Sequence, residues 1–156
     1  MREVALSTAA SGVLLGASWS DGVVVAFGLG PGTLWVVVRN LSGGLVRVEA
    51  SGVREVTVGE LWDNAILLEF VARRASAVPE ASLDFPDDGW GALIRRRGGT
   101  SRAEWLSEAR SIAARRPEPL LFEVQTAYGG RRIAAVCDGL RAWDGLRSWD
   151  ERPPEA

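Results

Sequence analysis

Short Val-rich runs punctuated by Gly, Asp and Asn recur through the first half of this chain. The punctuation constrains the fold more than any other feature. It is too frequent for long helices, and the gaps are too short for the crossover helices of a parallel sheet. Thr33 to Arg39 alternates Leu34, Val36 and Val38 with Trp35 and Val37, so both faces can be covered. Leu45 to Ser51 sets Val46, Val48 and Ala50 against Arg47, Glu49 and Ser51, a period-two pattern with one face to solvent. Val53 to Val58 continues the style, and Ala65 to Arg73 is a longer apolar strand beyond a turn at Asp63 and Asn64.

Two dipeptides mark hairpins. Asp21-Gly22, between Val13 to Trp19 and Val23 to Leu29, supplies the positive φ values of a tight primed turn, and Gly129-Gly130 stands between Leu120 to Tyr128 and Arg131 to Asp138. The loop Gly28 to Gly32 has the glycine spacing of a phosphate cradle, but a Val-rich strand follows where a dinucleotide loop needs a helix N-terminus. Residues 75–100 interrupt the rhythm with Pro79, Pro86 and four glycines, and read as a long surface excursion around a short segment Trp90 to Arg96. One helix stands out, at 101–116. Ser101 and Glu104 form a capping box, Trp105, Leu106, Ala109, Ile112 and Ala113 fall at helical spacing, and Pro117 stops it.

These elements predict one α+β domain over residues 1–150, a strongly curved antiparallel sheet of about seven to nine strands in hairpins and meanders, packed on one main helix. Residues 151–156, with Pro153 and Pro154, are expected to form a flexible tail. Residues 1–20 fit a first strand and turn better than a cleaved signal, and the apolar stretch Val23 to Val38 is broken by glycines and Pro31 before reaching membrane-helix length. With a lone, apolar-flanked Cys137, a cytoplasmic location is the expectation.

Composition bears on chemistry. The 156 residues contain no His and no Lys, so all 18 basic residues are Arg. A Ser-His-Asp triad, a His-ligated metal, a P-loop lysine and a Schiff-base amine are thereby excluded. A single Cys excludes an internal disulfide and a Cys-only zinc site. The net charge of −2 argues against a constitutive nucleic-acid binder. No cofactor is implied.

What remains concentrates in one stretch. Asp84, Asp87 and Asp88 are the densest carboxylates, and acids alone can run glycoside hydrolysis or hold a hard cation. Asp beside Pro and Gly is first of all turn chemistry, and a calcium loop wants acids at alternate positions. Arg95, Arg96 and Arg97 can fork onto anions or pair with the acidic loop beside them, with Arg95 and Arg97 sharing a face if the segment is extended. Seven Trp are many for this length; Trp90, Trp143 and Trp149 lie in Gly- and Asp-rich surroundings where burial is not assured. Trp and Arg are the residues that carry energy at protein interfaces. Cys137, in the alternation Ile133, Ala135, Cys137, is expected as a small buried hydrophobe.

The strings Glu49 to Val58, Leu61 to Leu68, Leu121 to Val124, Ala127 to Gly129 and Ile133 to Cys137 resemble a strand pair and closing hairpin of small bacterial α+β domains, some of the toxin-immunity type. The resemblance spans about a quarter of the chain, rests on strand hydrophobes and turn glycines, and transfers no site residue. It implies a bacterial, non-enzymatic protein that works by contact. The leading expectation is therefore a protein-binding module, immunity-type or regulatory, with a surface formed by Asp84, Asp87, Asp88, Trp90, Arg95, Arg97 and Arg102. Its expected partner is another protein, self-association being open, and neither nucleic acid nor membrane. Two rivals stand beside it: a carboxylate-dependent hydrolase or divalent-metal domain on the loop 84–88, and a small-ligand binder inside a curled sheet.

Overall fold

A computed structural model describes residues 1–59, 65–86, 88–127 and 132–153. In chain order the strands are β1 (Arg2–Val4), β2 (Ser7–Thr8), β3 (Leu14–Leu15), β4 (Val23–Gly30), β5 (Thr33–Arg39), β6 (Leu45–Ser51), β7 (Glu55–Val58) and β8 (Leu67–Arg74). After two 3-10 turns, Ala75–Ala77 and Glu80–Asp84, come the helices α1 (Gly89–Arg97) and α2 (Arg102–Ala113), then β9 (Leu120–Thr126), β10 (Arg132–Cys137) and β11 (Gly139–Leu146). The strands form a five-stranded antiparallel sheet ordered β1-β11-β6-β5-β4, a four-stranded one ordered β7-β10-β9-β8, and the small β2-β3 pair.

The α+β class and the antiparallel pairing are as expected; the single strongly curved sheet is not. The reason lies in the strands themselves. In β9 and β10 both faces are apolar: Phe122, Val124, Ile133, Ala135 and Cys137 join one buried cluster, while Leu121, Ala134 and Val136 join another. A strand apolar on both sides needs a layer on each side, and one curled sheet would leave one of these faces wet.

The molecule accordingly builds three layers. The inner face of the five-stranded sheet, through Leu34, Val36, Val38, Val46, Val48, Ala50 and Ala142, packs on the first face of the four-stranded sheet, where Trp19 meets Phe70 edge-on at 5.3 Å and Phe70 stacks on Phe122 at 5.7 Å. The opposite face of the four-stranded sheet carries α1, α2 and the 3-10 turns through Leu83, Trp90, Leu93, Ile94 and Ile112. The interior of a curled sheet, where a ligand was envisaged, is filled by these aromatic rings.

Three local expectations need correction. The Asp21-Gly22 turn does not join two paired strands: β4 pairs instead with β5, around Pro31 and Gly32, whose φ of +66° suits the tight turn. Asp21, at φ +60°, and Gly22 bind across to β8, where the Asp21 amide donates to the Leu67 carbonyl at 3.0 Å and the Leu67 amide to that of Gly22 at 2.7 Å. Residues 75–100 are not a surface excursion, because Leu83, Trp90, Leu93 and Ile94 are buried. Here glycine serves packing rather than looping: a Cβ on Gly89 would lie 2.6 Å from a Glu123 carboxylate oxygen and 2.7 Å from the Ala134 methyl. There are consequently two helices where one was expected. The expected helix at 101–116 is Arg102–Ala113, closed at its start by the anticipated Ser101/Glu104 capping box.

The β9-β10 hairpin has the anticipated pairing, from Gln125 opposite Arg132 to Leu120 opposite Cys137. Its tip at 128–131, the turn at Asp63 and Asn64, and Trp62 lie outside the described residues. At the other end, Glu151, where the flexible tail was expected to begin, accepts the Arg147 amide on its carboxylate at 2.6 Å, and its carbonyl accepts the Arg47 guanidinium at 3.5 Å. No helix among the described residues is long and apolar enough to cross a membrane.

Because Phe122 touches Phe70 at the centre of the sandwich, truncating it removes packing on which both sheets rest. Phe122→Ala should cost about 3–5 kcal/mol, read as a lowered urea midpoint, whereas Leu41→Ala, at an 81% exposed turn position, should stay within about 0.5 kcal/mol.

Candidate functional site

The stretch 84–102 is where the sequence concentrates opposite charge, and the fold gives most of its polar side chains a partner inside the molecule. Asp88 is the N-cap of α1: its carboxylate accepts the amides of Trp90 at 3.0 Å and Gly91 at 3.4 Å, satisfying donors that have no partner within the helix. Trp90, in the first turn, is 2% exposed and belongs to the core beneath the helices. Asp84 closes the preceding 3-10 turn and takes a two-pronged ion pair from Arg102 at 2.7 and 3.3 Å, which links that turn to the first residue of α2. Asp87 lies outside the described residues.

Arg95 and Arg97 sit on a helix, not a strand, so two residues of separation turn them about 200° apart rather than onto one face. Arg95 donates from Nε to the Leu83 carbonyl at 2.9 Å and lays its guanidinium 4.2 Å over the Trp105 ring, whose indole N–H donates to Gly99. Arg97 points to the sheet instead. Its NH1 meets Glu55 at 2.6 Å and its Nε meets Glu108 at 3.2 Å, and Arg115 donates to the same Glu55 oxygen at 3.3 Å.

Glu55 is the residue that sequence reading missed. It stands opposite Val136 on β10, hence on the helix-facing side of the four-stranded sheet, with its side chain 6% exposed. Its second oxygen, Oε2, is buried without a hydrogen-bond partner among the described residues. The only clue in the sequence was an acid at an outward register position of a strand, and nothing there showed that helices would cover that face.

The surface left over is small and specific. Phe85 is 62% exposed, next to the Asp84–Arg102 ion pair and beyond the 3-10 turn that receives Arg95. The side chains of Asp84 and Arg102 are themselves about half exposed, at 47% and 51%. An exposed aromatic residue beside an ordered ion pair and a stacked Arg–Trp pair offers hydrophobic and charged contact together. Elsewhere, Trp143 is buried and Trp149 is 54% exposed. Among the described residues no group of three or more acids or cysteines is placed to hold a metal ion.

Protonation follows from these contacts. The hydrogen bond from Arg102 holds the Asp84 carboxyl below its usual range, Arg141 does the same for Glu3, and Arg2 for Asp144; the Ser101 amide lowers Glu104. A carboxylate whose folded pKa is depressed contributes stability that is present above its unfolded value, about 4, and is lost as pH falls through the folded value. The Tm should therefore fall on acidification from about pH 6 to about pH 3. In Arg102→Gln, which frees Asp84, that fall should be smaller. Burial, followed by the Asp138 charge, pushes the Cys137 thiol up to about 12. Its sulfur should resist a thiol-specific disulfide reagent at about pH 8 in the native protein and react at once in denaturant, since the thiolate is the nucleophile.

Neither protein-family models, curated proteins nor solved structures give a match to this chain.

Proposed function

We propose that this protein is a non-enzymatic binding module that acts by contact with another protein, through the surface at the junction of the second 3-10 turn, α1 and α2. The observation that carries the reading is Phe85, a large aromatic side chain 62% exposed just beyond the second 3-10 turn, flanked by the Asp84–Arg102 pair. Aromatic and Arg side chains held in place before binding lose little conformational entropy on association, so they contribute disproportionately to affinity. Arg95, fixed by the Leu83 carbonyl and Trp105, extends the same surface.

An immunity-type or regulatory role in a bacterial cytoplasm is the specific form of this reading. It is supported by the resemblance of Glu49 to Val58 and of the β9-β10 hairpin to such domains, and by the missing His and Lys. The hydrolase reading has less behind it. Asp88 is engaged as a helix cap and Asp84 by Arg102, which leaves two of the three carboxylates with structural work.

The test is comparative affinity capture from the native lysate with the wild-type chain, Phe85→Ala and Arg102→Glu. All three should give the same near-UV circular dichroism. A partner retained by the wild type should be lost from both variants, with the affinity of the isolated pair reduced at least about tenfold, because hot-spot truncations cost more than 1 kcal/mol. Partners retained equally by all three would remove this surface from the reading.

A further inference from the structure

A second feature lies at another face, where the β2-β3 pair runs beside β8. A cleft of about 300 Å³ opens there between Leu6, Ser7, Thr8 and Leu14 of the N-terminal segment, Ala72 and Arg74 of β8, Leu120 of β9 and Leu140 of β11. That volume is at the lower end of small-molecule sites, which run from about 300 to 1,000 Å³. Its floor is apolar and continuous with the sandwich core: Leu14 is 3% exposed and Ala72 5%, and Leu6, Leu120 and Leu140 are half-buried against the same cluster.

Arg74 gives the cleft its chemistry. Along β8, Phe70 and Ala72 point into the sandwich, and period-two alternation puts Arg74 on that same face, at the mouth rather than in the core. Its cross-strand neighbour is Leu120. Arg74 is exposed and makes no hydrogen-bonded ion pair among the described residues, its charge reaching Glu118 only through space, in contrast to Arg97, Arg102, Arg115 and Arg141. The rim beside it carries the hydroxyls of Ser7 and Thr8. A second cleft, of about 420 Å³, shares Thr8, Ala72 and Arg74 with it.

An apolar slot lined at its rim by one arginine that makes no salt bridge and by Ser7 and Thr8 suits a molecule with an aliphatic body and a single negative head. The geometry points to a binding site for a medium-chain monocarboxylate, its chain among Leu6, Leu14, Leu120 and Leu140 and its carboxylate forked by Arg74. A monoanion matches better than a phosphate dianion. One positive charge is on offer, and Glu118 lies close enough for the Arg74 charge to help hold its carboxyl below the usual range. The site is independent of the Phe85 surface.

The probe is octanoate, titrated below its micelle concentration into the full-length, isotope-labelled protein and followed by NMR. Amide and methyl resonances of Leu6, Leu14, Leu120 and Leu140 should shift in a saturable way. Acetate, which has the head without the chain, should shift none of them, and octanol, which has the chain without the head, should bind at least about tenfold more weakly, as the loss of a charge-assisted hydrogen bond requires. Arg74→Gln, at an exposed position, should reduce octanoate affinity to the octanol level while leaving the spectrum folded. Saturable shifts confined to other residues, equal binding of octanoate and octanol, or unchanged octanoate binding in Arg74→Gln would each overturn the assignment. Tighter binding of octanoyl lysophosphatidate than of octanoate would overturn the carboxylate and move the site to a lipid headgroup.

Discussion

Everything in this molecule hangs on the burial of both faces of the four-stranded sheet. Phe122 and Val124 point to one side, Leu121 and Glu123 to the other, and across the hairpin Ile133, Ala135 and Cys137 oppose Ala134 and Val136. Each face demands a covering layer, since apolar surface left in water forfeits about 25 cal/mol per Å². The five-stranded sheet covers one face and the two helices cover the other. The order of layers is thus a consequence of two strands that have no wet side, while the outer face of the five-stranded sheet is itself partly covered: Arg47 of β6 is buried over the Trp35 ring beside Glu49, with Val37 and Trp143 buried on the same side.

Covering the second face brings a cost that the charges offset. Glu55 and Glu123 lie on the helix side of the sheet, opposite Val136 and Ala134, and both are nearly inaccessible. A buried carboxylate is expensive unless it is paired. Arg97, from the last turn of α1, and Arg115, just after α2, converge on Glu55, and Glu108 shares Arg97. Gln125 donates to Glu123 at 2.8 Å. The arginines that the sequence crowds after residue 94 therefore divide their work: Arg97 anchors the helices to the sheet, while Arg95 and Arg102 order the surface that carries Phe85.

Period-two patterning located β5 and β6 to the residue, and the capping box located the start of α2, but the face of β6 expected in solvent is not there: Arg47 is buried, stacked on Trp35 and paired with Glu49, and only Ser51 is exposed. Both signals are local, set by neighbours within a few residues. The short α1 was obscured because its glycines resemble a loop; Glu123 and Ala134 leave no room for a Cβ at Gly89, and the Phe85 and Ser82 carbonyls leave none at Gly91. The turn at Asp21 was legible as a turn and misleading as a hairpin, since its backbone partners lie on β8, more than forty residues away. Of the candidate site, the sequence marked the stretch but not the orientation: Trp90 faces inward, Phe85 outward, and Arg95 and Arg97 part company once the segment is helical.

By itself, then, the amino-acid sequence determined that this chain is built from short antiparallel strands and one well-capped helix, and that His- and Lys-dependent chemistry is closed to it, because these follow from side-chain period, turn residues and composition. Only the tertiary structure decided that the strands divide between two main sheets and a small pair, that a second helix joins the first, and which charges are consumed internally. Those outcomes depend on which faces meet. A strand such as β9, apolar on both sides, shows that it must be covered twice without showing by what, and which arginines meet an acid, as Arg97 and Arg102 do, is decided by elements distant in the chain.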